Sequence, residues 1–192
     1  KAKDGAATPA TPAPAGATSP SPSPIDPNTA QQIPAKEVLG STVERFVRYQ
    51  PEDEVANYIN SPEEMDAFIG KTSSAMRKQI GNLTPEAPAY GTVVVGVNAK
   101  SEYRVWYSFP NGEPSNAFKN AVHKAIEEVP LLKVKKDLVV FGVALTLWGY
   151  KETPEQAAKV ILPKEWEAAG KAFSAPQTAT KLAQLAWDKA GA

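Results

Sequence analysis

The sequence contains no cysteine and a single histidine among its 192 residues. Without cysteine the chain forms no disulfide and offers no thiol nucleophile or zinc-thiolate site. Basic and acidic residues number 21 each, so the formal net charge is zero and exerts no overall attraction on nucleic acid or an anionic membrane. No run approaches the roughly 20 apolar residues that span a bilayer. Thiol chemistry is therefore excluded, and the composition favours neither nucleic acid nor an anionic membrane as a partner.

The first residues, KAKDGAATPA, contain neither an initiator methionine nor the apolar core of a signal peptide. We interpret the chain as a mature or truncated form from which a targeting segment has been removed. On this interpretation the protein meets a membrane only through a missing N-terminal anchor.

Residues 1–34 hold eight of the 18 prolines and no aromatic residue. Alternating Ala, Pro, Ser and Thr bury too little apolar area to offset chain entropy, so we predict a disordered linker here. Its prolines favour extended polyproline II, which at about 3.1 Å per residue spans on the order of 80–100 Å. The segment is interpreted as a tether, with a passive tail as the alternative.

Residues 35–192 are predicted to form a single α+β domain. Valine-rich 92–98 and alternating 102–109 predict two strands joined by a short hairpin loop. Ser115 then precedes the cleanest amphipathic pattern in the chain, which predicts a helix over 115–129. The apolar run 138–148 predicts a final strand. The core at 90–150 is thus a β-β-α-β unit whose three antiparallel strands pack on helices.

Helical patterns flank this core on both sides. The stretch AKEVLGSTVERFVRYQ, residues 35–50, has apolar residues at near-helical spacing, and a second helix is predicted from an N-cap at Ser61 to Gly81. A helical extension is predicted over 153–190. Trp148 and Trp166 are predicted to join the sheet to this tail.

Candidates for catalysis are few, and we predict that the protein is not an enzyme and has no metal or cofactor. His123 lies off the apolar stripe of its helix, so it is predicted to face solvent, with Glu127 one turn along as an ordinary neighbour. The acidic runs at 51–54 and 62–64 are explained by the positive end of a helix dipole. The glycines form no phosphate-binding motif.

Nucleic-acid binding is also disfavoured. Trp106 and Tyr107, near Arg104, are residue types that stack bases on a sheet. A sheet binder also needs a basic face, which a neutral chain does not suggest. The basic patch Lys133, Lys135 and Lys136 follows a helix C-terminus, where cations are favoured in any case.

The order of these elements resembles a known family. A proline-rich segment, the hairpin TVVVGVNAKSEYRVWYSF, the helix SNAFKNAVHKAIEEV and the strand DLVVFGVALTLW resemble the C-terminal periplasmic domains of TonB and TolA, which bridge the two membranes of Gram-negative bacteria. The FxxAVxxAI stretch, Phe118 to Ile126, is similar to that family's helix before the last strand. The chain departs from the family in lacking a membrane anchor and in its helical C-terminal tail, which could cover the sheet edge.

The resemblance implies a periplasmic, membrane-anchored adaptor that binds other envelope proteins by strand addition at a sheet edge. The strand predicted to form that edge carries Val139, Phe141, Val143 and Leu145; the alternative is that this strand is central and buried. A second function is an envelope lipoprotein that serves as an accessory subunit of a secretion or assembly machine. A third is an enzyme with an unrecognised pair of carboxylates.

Overall fold

The computed structural model describes residues 31–33 and 44–190. Within these ranges the chain forms five strands and six helices. The strands are β1 (Gln31–Ile33), β2 (Glu44–Arg48), β3 (Ala89–Asn98), β4 (Tyr103–Ser108) and β5 (Leu138–Leu147). The helices are α1 (Glu52–Tyr58), α2 (Pro62–Gly81), α3 (Asn116–Glu127), α4 (Pro154–Ala158), α5 (Lys164–Gly170) and α6 (Ala179–Lys189). The predicted α+β class is confirmed.

The sheet is antiparallel throughout, with the strand order β1-β2-β5-β3-β4. The β-β-α-β core is present as β3, β4, α3 and β5. The predicted number of three strands is wrong, because β2 and the three-residue β1 extend the sheet beyond β5. The chain before the core therefore contributes strands as well as helices.

The edge position predicted for the last strand is also wrong. Strand β5 pairs with β2 on one side and with β3 on the other. All ten of its residues are buried. Both neighbours satisfy its backbone groups, so β5 offers no free edge to a partner. The proposed binding residues Val139, Phe141, Val143 and Leu145 are 0–2 % exposed core residues, as the alternative interpretation held.

The helix predicted over 35–50 is a strand where it is described, from Glu44 to Arg48. Residues 35–43 lie outside the described residues. Phe46 packs on one face of the sheet, and Val47 and Tyr49 pack on the other. Because both faces are buried, apolar residues are not confined to alternate positions, and the pattern imitates helical spacing.

The predicted linker, residues 1–34, lies outside the described residues except for Gln31–Ile33. Those three residues pair with β2, with Gln31 opposite Arg48 and Ile33 opposite Phe46. Their assignment to the linker is wrong. A strand ladder uses backbone groups that every non-proline residue carries, so a short polar segment can join it.

Helices α1, α2 and α3 cover one face of the sheet. Phe118, Val122 and Ile126 of α3 are fully buried there. The Ser115 hydroxyl caps α3 by accepting a hydrogen bond from the Phe118 amide at 3.2 Å. The Ser61 hydroxyl caps α2 in the same way. Both predicted N-caps are confirmed.

Helices α5 and α6 cover the other face. The Trp166 ring meets the rings of Tyr49 and Trp106 edge-on, at centroid distances of 5.2 and 5.4 Å. Trp166 therefore joins the sheet to the tail as predicted. The same prediction is wrong for Trp148, which packs near Phe118 on the opposite face. Trp148 follows β5 with a φ of 52°, so its side chain does not continue the alternation of the strand.

Candidate functional site

Strand β4 ends the sheet on its side. Among the described residues only β3 pairs with it. Both faces of the sheet are covered by helices, so backbone groups that could bind another chain remain only along the edges. The outermost strands of the described sheet are the three-residue β1 and the six-residue β4, so β4 offers the longer edge to which a partner could add a strand.

The hydrogen bonding of the hairpin decides which groups point outward. The Asn98 amide donates to the Glu102 carbonyl at 3.1 Å. Hydrogen-bonded and non-hydrogen-bonded pairs alternate along an antiparallel ladder. Asn98 and Glu102 form a hydrogen-bonded pair, so every second β4 residue after Glu102 also bonds to β3. These residues are Arg104, Trp106 and Ser108.

The intervening residues Tyr103, Val105 and Tyr107 direct their N–H and C=O groups away from β3. We call these three the outer-edge residues. All three side chains are half-buried and point to the α3 side of the sheet. The outer edge thus presents one backbone donor and one backbone acceptor at each of these three alternate residues.

Helix α3 runs alongside this edge and contacts it through one flank. The Tyr103 hydroxyl lies 3.4 Å from His123 Nδ1 and donates to Glu127 at 3.3 Å. The Lys119 ammonium lies 5.6 Å from the centre of the Tyr107 ring. Lys119, His123 and Glu127 are spaced four residues apart, so they share one side of the helix. We call these three the α3 flank.

The two tyrosines of the outer edge stay neutral. Burial, and then the negative charge of Glu127, raise the pKa of Tyr103. Burial, and then the proximity of Tyr103, raise the pKa of Tyr107. Neutral phenols keep a proton to donate, so both hydroxyls serve as hydrogen-bond donors beside the edge.

The opposite side of β4 is closed by the C-terminal region. The Arg104 guanidinium donates to the Trp187 carbonyl at 2.6 Å and lies 5.0 Å from the Trp187 ring centre. The Ser108 hydroxyl donates to the Ile161 carbonyl at 2.9 Å. These bonds fix β4 against the tail while leaving its outer backbone groups free of strand partners in the described chain. The helical tail therefore covers a face of the sheet and leaves the β4 edge unpaired.

A cleft of about 190 Å³ continues from the end of β4. Its walls include Tyr107, Pro110, Lys119 and Lys164. Glu113 pairs with Lys119 at 2.8 Å, and this hydrogen bond and charge lower the pKa of Glu113. The cleft carries charges of both signs, which suits a polar segment leaving the edge.

A second groove, of about 170 Å³, lies near the opposite end of the sheet. Its lining includes Phe46 of β2, Val55 of α1, the α1 C-cap Ile59, and Met65 and Ile69 of α2. Its walls are mainly apolar, and its volume suits a single large side chain. Its ionisable lining residues are Arg48, Glu52 and Asp66, and Arg48 pairs with Glu52 at 3.0 Å.

The catalytic candidates take structural positions. His123, predicted to face solvent, is half-buried on the α3 flank, where Tyr103 lies between it and Glu127. Glu63 stands in the first turn of α2, where backbone hydrogen bonding and the Ser61 hydroxyl lower its pKa. Within residues 44–190, no three His, Asp or Glu side chains are grouped to hold a metal ion.

The residues considered for base stacking are not available for it. Trp106 is 4 % exposed and lies beneath α5 and α6. Arg104 is engaged with Trp187. In the part of the chain that the structure describes, no helix has the length and apolar content needed to cross a bilayer.

No protein-family model, curated protein or solved structure matches this chain. The sequence reveals the alternation of Tyr103, Val105 and Tyr107, but not which strand lies outermost, because strand order depends on contacts distant in sequence.

Proposed function

We propose that this chain is a non-catalytic protein-binding domain of the bacterial cell envelope, an adaptor of the TonB and TolA kind. The observation that carries the proposal is the β4 edge, where Tyr103, Val105 and Tyr107 direct their backbone groups outward and have no described strand partner. Other envelope proteins dock there by strand addition.

Strand addition suits this edge for a physical reason. An extended segment of a partner satisfies the outward donors and acceptors, and this main-chain pairing supplies affinity for many sequences. Specificity comes from side chains beside the added strand. On the α3 side these are Tyr103, Tyr107 and the α3 flank, which offer aromatic surface, a cation and a carboxylate.

The proposed location is periplasmic, with attachment to a membrane through a segment preceding residue 1. The composition of residues 1–30 supports a tether, because a proline-rich tract holds a domain at a distance from its anchor. The second candidate, a lipoprotein subunit of a secretion or assembly machine, shares the docking edge. The upstream sequence separates the two: a spanning helix favours the adaptor, and a short apolar run ending in cysteine favours the lipoprotein.

The test is capture of envelope proteins by the full 192-residue chain and by Val105→Pro. Proline removes the outward N–H of Val105, which bonds nothing within the sheet, and proline is tolerated on edge strands. We expect the variant to remain folded and to lose the captured proteins. Val105→Thr keeps the N–H and the branched shape, so it should capture them like the parent.

Circular dichroism establishes that both variants are folded. A folded Val105→Pro variant that recovers the same envelope proteins as the parent would contradict docking at β4.

A further inference from the structure

We propose that the β4 edge also pairs with the β4 edge of a second copy of this chain, joining two sheets into one across a twofold axis. The inference rests on the proposed function, because it uses the same strand-addition edge and names one partner for it. The twofold axis stands perpendicular to the sheet and passes beside Val105.

The register follows from which groups point outward. Only pairings that set outer-edge residues opposite one another let their donors meet acceptors. With the axis at Val105, Val105 faces Val105 of the second copy, and Tyr103 faces Tyr107 of the second copy. These three hydrogen-bonded pairs make about six backbone hydrogen bonds. The tyrosines of both copies then lie on the same face, around the half-buried valines.

The α3 flank matches this arrangement in length and direction. Helix α3 runs antiparallel to β4, because Lys119 lies near Tyr107 and Glu127 near Tyr103. Lys119 to Glu127 spans about 12 Å of helix. Tyr103 to Tyr107 spans about 13 Å of strand. A twofold axis at Val105, the middle of the outer edge, therefore passes close to His123, the middle of the α3 flank.

The twofold axis sets the α3 flank of one copy against the α3 flank of the other in the opposite direction, so that opposite charges meet. The flank is positive at Lys119 and negative at Glu127, so the axis brings Lys119 of each copy towards Glu127 of the other. This isologous match, made twice, favours a second copy over a peptide of arbitrary sequence. Lys119 already pairs with Glu113 within the chain, but Glu113 is largely exposed and such pairs hold weakly.

On the other face of the joint, β4 contributes one charged side chain from each copy. Arg104 is the only ionisable side chain of β4 on that face, and it is folded onto Trp187 of its own chain. The Arg104 guanidinium therefore keeps a hydrogen-bond acceptor and an aromatic partner when two copies approach to strand spacing.

The test is sedimentation velocity of the full 192-residue chain over a concentration series up to about 1 mM, where even a millimolar dissociation constant gives substantial dimer. We expect the parent to reach a reversible dimer. Lys119→Glu and Glu127→Lys each set like charges together twice, and each should weaken the dimer at least about tenfold. An equimolar mixture of these two variants restores both opposite-charge contacts, so it should form a heterodimer.

Two further variants complete the test. The double variant Lys119→Glu/Glu127→Lys should dimerise like the parent. Lys124→Glu changes an exposed charge on α3 outside the flank and should leave the dimer unaffected. Circular dichroism checks that each variant is folded.

A parent that stays monomeric to about 1 mM overturns the inference, as does a dimer insensitive to both flank variants or a mixture that stays monomeric. If those failures occur while Val105→Pro still abolishes capture of envelope proteins, the dimer fails and the proposed function stands. If the dimer forms and the folded Val105→Pro variant still captures envelope proteins, docking of those proteins at β4 fails.

Discussion

Tyr49 lies in the core beneath α5 and α6, where it is 4 % exposed. Its hydroxyl has no hydrogen-bond partner among residues 44–190. Burial raises the pKa of Tyr49 well above its usual value of about 10. The hydroxyl thus contributes nothing by pairing, and its proton is held more tightly in the folded chain than in the unfolded one.

This difference makes stability depend on alkaline pH. The pKa of Tyr49 is higher in the folded chain than in the unfolded chain. The contribution of its protonated hydroxyl to the free energy of unfolding is therefore fully present below pH about 10 and is lost as the pH rises toward the pKa of the folded chain. We expect the free energy of unfolding from urea titrations to fall above pH about 10, by up to about 1.4 kcal/mol per pH unit from Tyr49. Tyr49→Phe should reduce that slope and cost less than about 1 kcal/mol at pH 7, since no hydrogen bond is lost. Parallel slopes for the two proteins would contradict this account.

Gly142 lies in β5, where a Cβ atom would come within 2.7 Å of Thr92 Cγ2 and 2.9 Å of Tyr49 Cε2. Both neighbours are themselves buried and cannot withdraw freely. We expect Gly142→Ala to lower the free energy of unfolding by about 1–3 kcal/mol through overpacking. Urea denaturation measures it.

Gly70 provides the matched control. It is exposed in the middle of α2, and a Cβ there meets nothing within 4 Å. Gly70→Ala should raise the free energy of unfolding by about 0.5–1 kcal/mol, because alanine loses less backbone entropy than glycine in a helix. Equal effects of the two substitutions would show that the space around Gly142 is not the determinant.

At the level of elements, β2 ends at Arg48, but its pairing with β5 is continued by a side chain. The Gln50 amide group donates to the Leu138 carbonyl at 2.9 Å and accepts from the Val140 amide at 2.7 Å. The side chain is buried, so it takes the place of two ladder bonds where the strand has stopped. Glutamine suits this role because its side chain both donates and accepts.

Gln50→Ala leaves both backbone groups of β5 buried and unpaired. We expect it to lower the free energy of unfolding by about 2–4 kcal/mol, measured by urea denaturation. Gln184→Ala removes a glutamine that bonds Asp188 on the exposed side of α6 and should change stability by less than about 0.5 kcal/mol. A Gln50 variant as stable as the Gln184 variant would refute the bridging role.

The elements with a strong local pattern could be predicted from the sequence. The α3 stripe of Phe118, Val122 and Ile126 and the Ser115 cap identify the helix, and the valine-rich run identifies β3. Strand β2 could not, because apolar residues on both of its faces resemble a helical stripe. The local signal is ambiguous wherever a sheet is buried on both sides.

The candidate site was less predictable than the fold. The resemblance to TonB and TolA domains implied strand addition, with Val139, Phe141, Val143 and Leu145 of β5 as the candidate edge and a central, buried strand as the alternative. Whether an apolar strand lies at the edge or in the centre of a sheet depends on which strands pair with it. The pairing of β5 with β2 joins residues about a hundred positions apart, so no local pattern reveals it. Only the strand order identifies β4 as outermost.

On the scale of the whole molecule, the three-layer arrangement determines where the chain can dock. Helices α1, α2 and α3 cover one face of the sheet, and α5 and α6 cover the other. Docking through the sheet is therefore restricted to its edges. The β4 edge, with its outward backbone groups and charged α3 flank, is the described surface best suited to a protein partner.

Amide hydrogen exchange at β4, followed by nuclear magnetic resonance on the full chain, tests this claim most directly. Arg104, Trp106 and Ser108 bond to β3, whereas the amides of Tyr103, Val105 and Tyr107 point outward and should exchange faster in the dilute chain. Adding an envelope protein captured by the chain should slow exchange at those three amides selectively. Unchanged exchange at Tyr103, Val105 and Tyr107 in the bound state would contradict docking by strand addition.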